Sequence, residues 1–121
     1  MYTRALAIVV ALIFVSACGQ SSSSTMPTPP IGGGSSVSIV SGSRTLTTTA
    51  YNPNPVTISA GMSVTWINND TIAHTSTSDN GIWDSGSLGP GASFNRAFPS
   101  PGTFTYHCAI HPNMIGTVTV R

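Results

Sequence analysis

The chain has 121 residues, with neither lysine nor glutamate among them. Apart from Arg4, its arginines (Arg44, Arg96, Arg121) are balanced by Asp70, Asp79 and Asp84. Near-neutrality excludes the basic face that nucleic acid needs and gives little long-range steering of charged partners. The length suits a single folded domain.

Residues 1–17 carry one early positive charge, Arg4, followed by an apolar run over 5–15. That run is too short to cross a bilayer and fits the apolar stretch of an export signal. It ends in Val15-Ser16-Ala17-Cys18, which resembles a bacterial lipobox. Cys18 is therefore expected to be lipidated and to become the mature N-terminus. Export would place the chain in the bacterial cell envelope, in the periplasm or on the outer surface, anchored to a membrane. Residues 19–36 are rich in Ser, Pro and Gly and have no apolar periodicity to offset the entropy of ordering. Residues 18–36 read as a tether, about 20–25 Å from end to end if it is a flexible coil.

Residues 37–121 read as the folded domain. Alternating apolar and polar residues predict strands at 37–40, 56–59 and 64–66, with Ala60-Gly61 turning the chain between the last two. Further strands are expected at 92–98 after Pro90-Gly91, at 103–108 after Pro101-Gly102, and at 116–120. No stretch has convincing helical periodicity, and many short strands with Gly and Pro turns predict an all-β sandwich or barrel.

Strand periodicity also assigns faces. Phe104, Tyr106 and Cys108 share the inward side of their strand, and Thr103, Thr105 and His107 the outward side. The chain continues as Cys108-Ala109-Ile110-His111-Pro112-Asn113-Met114, which spaces a thiolate, an imidazole and a thioether three residues apart. A second imidazole, His74, follows Asn68-Asn69-Asp70-Thr71-Ile72-Ala73. This soft donor set suits copper in both oxidation states. Zinc is disfavoured because it prefers thiolate, imidazole and carboxylate over thioether. Cys18 is assigned to lipid and Cys108 to metal, so no internal disulfide is expected.

These segments resemble cupredoxins, the small blue copper proteins, together with Tyr51-Asn52-Pro53-Asn54-Pro55-Val56, Gly61-Met62-Ser63-Val64-Thr65-Trp66-Ile67-Asn68 and Leu88-Gly89-Pro90-Gly91. The ligand loop is similar to that of amicyanin; plastocyanin loops have more residues between His and Met. The resemblance implies an eight-stranded Greek-key β-sandwich with one type 1 copper near one end. Cys108 would then give the short thiolate bond, His74 and His111 the trigonal plane, and Met114 the long axial contact. His111 would be the electron port, set in a mainly apolar patch of Ala109, Ile110, Pro112 and Met114. The implied function is outer-sphere transfer of single electrons between exported or membrane-bound redox proteins, a donor and an acceptor, by a monomer.

Asn69, Thr75 and Ile110 are the residues expected to tune the site. Thr75 stands where plastocyanin and amicyanin typically have Asn, so an amide brace between loops would be lost or replaced by a hydroxyl. Ile110 stands where amicyanin has Pro, which adds an N–H near the thiolate. The alternative function is extracytoplasmic copper binding and delivery. Catalysis is not expected: His107, next to Cys108, has no visible second metal site to serve, and Asp79 and Asp84 read as isolated carboxylates. Trp66 and Trp83 read as packing aromatics.

Overall fold

The computed structural model describes residues 33–121. The expected signal segment, Cys18 and most of the expected tether lie outside the described residues. Eight strands follow in chain order: β1 Gly34–Ile39, β2 Tyr51–Asn52, β3 Val56–Ile58, β4 Ser63–Asn68, β5 Thr77–Ser78, β6 Ser93–Ala97, β7 Gly102–His107 and β8 Ile115–Val120. They form two four-stranded mixed sheets, ordered β2-β1-β4-β6 and β3-β8-β7-β5. The fold is the expected all-β Greek-key sandwich.

Every strand predicted from alternation is present, because each has an inward face to bury. Val64, Trp66 and Asn68 of β4 point inward, as do Gly116, Val118 and Val120 of β8. Packed between the sheets are Val37, Ile39, Val56, Val64, Trp66, Trp83, Phe98, Tyr106 and Val118, all nearly or fully buried. Trp66 and Trp83 belong to this core, with ring centroids 5.8 Å apart, and Trp66 meets Tyr106 edge-on at 5.4 Å. Gly116 is required by close approach: a Cβ there would lie 2.3 Å from the Tyr106 ring.

Three features differ from the sequence reading. Strands β2 and β5 have two residues each, too few to show a period, and a short 3-10 turn occupies Ser43–Thr45. Gly34, Ser35 and Ser36, which composition groups with the tether, are strand. Their order comes from the parallel backbone ladder to β4, in which Gly34 faces Ser63. A Cβ on Gly34 would lie 2.6 Å from the Ser63 carbonyl oxygen, so glycine permits the pairing. Backbone pairing leaves no trace in side-chain alternation.

Candidate metal centre

Cys108 directly follows β7 and Met114 directly precedes β8, so the antiparallel pairing of these strands brings both ends of the ligand loop together. Two backbone bonds close that loop: Cys108 N–H to Met114 O at 3.1 Å and Met114 N–H to His111 O at 2.9 Å. His74 comes from the segment after β4, held by paired backbone bonds with Leu88. Its Nδ1 lies 3.8 Å from Cys108 Sγ, and His111 Nδ1 lies 3.9 Å from the same sulfur. The three donor atoms are within 4.8 Å of one another. His74, Cys108 and Met114 are fully buried, whereas His111 is partly exposed.

The buried groups around the donors are bonded. Asp70 Oδ2 lies 2.8 Å from His74 Nε2, and the Ser43 hydroxyl lies 3.1 Å from the same nitrogen. The His74 contact, followed by the Gly42 N–H, holds the Asp70 carboxyl well below the usual carboxylate range, with burial opposing them. An ionised carboxylate only accepts hydrogen bonds, so in this contact Nε2–H is the donor to Asp70. Thr75 N–H donates to Cys108 Sγ at 3.3 Å, and Thr75 Oγ1 accepts from Ala109 N–H at 2.8 Å. Tyr51 donates its hydroxyl to Thr75 O at 2.7 Å. Burial, then Cys108, pushes the Tyr51 phenol far above its ordinary pKa, so it remains a donor. Two imidazole nitrogens and a sealed thiolate, with a buried methionine at the loop's end, are the donors a soft, redox-active ion requires.

Residues 38–121 match the family of copper-binding proteins described as plastocyanin/azurin. The chain belongs to that family. A plastocyanin from Scenedesmus fuscus is 34% identical over 84 residues, which span 59% of this chain and 86% of that protein. Among solved structures, a purple cupredoxin from Nitrosopumilus maritimus aligns with TM-score 0.67 and 32% identity, over 72% of this chain and 99% of its own. An amicyanin variant in its Cu(I) form aligns with TM-score 0.62 and 25% identity, over 74% of this chain and 83% of its own. The cofactor of this cupredoxin is copper, and the His74, Cys108 and His111 cluster is consistent with one type 1 ion per chain.

The structure brings together most, but not all, of the residues singled out in the sequence. The Thr75 hydroxyl does bridge the two ligand-bearing segments. Asn69 instead points to the exposed side, where its amide bonds Ser38 Oγ at 2.7 Å; its neighbour Asn68 is the buried amide. Asn68 donates to Ile72 O and Leu88 O, both at 2.8 Å, and accepts from Asp70 N–H at 2.9 Å. The alternation of β4 could have identified it, since Asn68 shares a face with Val64 and Trp66. Among the described residues the N–H that reaches Sγ is that of Thr75, and Ile110 makes no such contact. Ala109, Ile110 and Pro112 are exposed near His111, but Met114 is buried and adds nothing to the surface. His107 faces outward as expected and pairs through Nδ1 with Asp79, which is therefore not isolated. Asp84 accepts from Thr77 Oγ1 and Gly86 N–H.

Proposed function

We propose that this cupredoxin is a single-electron carrier whose copper is held by His74, Cys108 and His111, with Met114 as the weak axial donor. Copper bound there supplies reversible one-electron chemistry. The chain's own contribution is to fix the donors, exclude water and leave one entry for the electron.

One observation carries this reading: three of the four donors are sealed, and His111 alone reaches the surface. An electron can pass through an exposed imidazole edge without any bond to the ion being broken. Around that edge lie exposed Ala109 and Pro112, with Ile110 48% exposed. A small apolar surface with few charges suits brief docking, first by a reduced protein and then by an oxidised one. Sealed donors also slow exchange of the ion, which disfavours a delivery role. Lipidation at Cys18, with the Ser/Pro/Gly-rich residues that follow it, would keep the domain near membrane-bound partners at raised local concentration.

The test is titration of the full-length chain with Cu(II), followed by reduction with one electron equivalent. An intense visible thiolate band that saturates at one copper per chain and bleaches with one electron supports the carrier. Copper that passes to a competing chelator within seconds, or a band that does not bleach, replaces it with copper delivery.

A further inference from the structure

We propose that Asp70 is a positioning residue that presets the copper site and biases its redox equilibrium toward the oxidised state. The inference rests on the reading of His74 as a copper donor. The carboxylate collects four contacts: Gly42 N–H at 3.1 Å and Thr71 N–H at 2.8 Å on Oδ1, and the Ser43 hydroxyl at 3.3 Å and His74 Nε2 at 2.8 Å on Oδ2. Three of the four come from backbone or side-chain groups other than the imidazole, so Asp70 is fixed independently of His74. A fixed, buried acceptor leaves the ring one tautomer and one orientation, with Nδ1 facing Sγ.

Asp70 ties the His74 segment to a short strap that Asn113 ties separately to the ligand loop. The 3-10 turn at Ser43–Thr45 touches Asp70 and His74 through Ser43. From the same strap, the Arg44 and Leu46 carbonyls accept from the Asn113 side-chain amide, at 3.1 and 2.8 Å, inside the ligand loop. His74 and the loop carrying His111 are thus braced against the same five or so residues before any ion arrives. A metal-bound imidazole that donates its other N–H to a carboxylate becomes a stronger donor and is held in place. The negative charge behind the ring, on the side away from the sulfur, favours the more highly charged oxidised ion.

Two variants of the full-length chain separate orientation from charge. In copper-free wild type, nitrogen-15 NMR of the imidazoles should show His74 as a single tautomer protonated at Nε2. Asp70→Ala should give a mixture of tautomers. Asp70→Asn loses the charge and keeps one acceptor oxygen; NMR of its imidazole shows whether that oxygen still faces Nε2–H, an arrangement that sets the amide NH2 against the Gly42 and Thr71 N–H groups. The copper-loaded Asp70→Asn form should shift toward Cu(I) by at least tenfold in the redox equilibrium, about 59 mV for one electron. A wild-type His74 that is mixed or protonated at Nδ1 overturns the positioning role even if Asp70→Ala fails to fold. An Asp70→Asn redox equilibrium shifted by less than tenfold, or shifted toward Cu(II), overturns the redox bias. Wild-type protein that gives no thiolate band defeats the carrier reading instead, and the copper-free tautomer still decides the positioning role.

Discussion

His74 and His111 present the same nitrogen to the same sulfur at nearly the same distance, 3.8 and 3.9 Å, from opposite circumstances. His74 is sealed and bonded through its far nitrogen to Asp70 and Ser43. His111 lies on a loop, partly exposed, with no carboxylate behind it among the described residues. One imidazole is therefore part of the protein interior and the other part of its surface. The site needs both: rigidity from the first so that little rearranges, and access through the second so that an electron can enter.

The sharpest way to break this contrast is to remove each ring in the copper-free protein. His74→Ala deletes a buried, hydrogen-bonded side chain and should cost about 2–3 kcal/mol in urea unfolding, below the roughly 3–5 kcal/mol of a broken buried ion pair because Asp70 keeps other donors. His111→Ala should change stability by about 0.5 kcal/mol or less, as for most surface substitutions. Equal losses would mean that the interior and surface halves of the site are not distinct. Next in size is Asn68→Ala, which removes both donors to the Ile72 and Leu88 carbonyls and the acceptor of Asp70 N–H. A loss of about 2 kcal/mol is expected, since buried polar groups are left unsatisfied. It should weaken protection of the Asp70 and His74 amides in hydrogen exchange before that of Met114.

The sequence was legible unequally across these two regions. The ligand loop is read directly, because Cys108, His111 and Met114 are close in sequence and the inward face of β7 is set by Phe104 and Tyr106. His74 could be paired with it because few soft donors compete. The bracing of His74 was not legible. Ser43 sits on a turn with no periodic signal, and Asp70 has the composition of any loop aspartate. The sequence reading places the tuning amide at Asn69, whereas Asn68 does the bonding, a shift of one residue that the alternation of β4 resolves. Strands β2 and β5 leave no signal in the sequence, because two residues cannot alternate. Thr75 was legible as a change of chemistry, and its hydroxyl does bridge to Ala109.

That bridge gives a smaller test, placed between the two regions. Thr75→Val keeps the side-chain shape and the backbone N–H to Sγ but removes the acceptor of Ala109 N–H and the 2.7 Å contact with Thr77 Oγ1. A loss of about 1 kcal/mol is expected, with the visible band of the copper form retained. Loss of the band would mean that the hydroxyl, rather than the N–H and the strand ends, aligns the sulfur.

The weakest expected effect lies on the outer face of the sheet, where His107 at the end of β7 meets Asp79 just after β5. The Thr105 side chain, and then His107, lower the Asp79 carboxyl below its ordinary value, with burial opposing them. The folded state therefore releases this proton more readily than the unfolded chain, whose carboxylate titrates near about 3.9. The contribution to stability is complete above that pH and disappears as pH falls through the lower, folded value. Asp79 is 42% exposed and His107 30%, so solvent screening keeps the contribution small. The stability difference between wild type and Asp79→Asn should be flat just above about pH 5 and shrink as pH falls from there toward about 2. A difference that persists unchanged to the acid end would mean the carboxylate is not what holds this face. If that difference instead rivalled the loss expected for His74→Ala, the division between a braced interior and an adaptable surface would need redrawing.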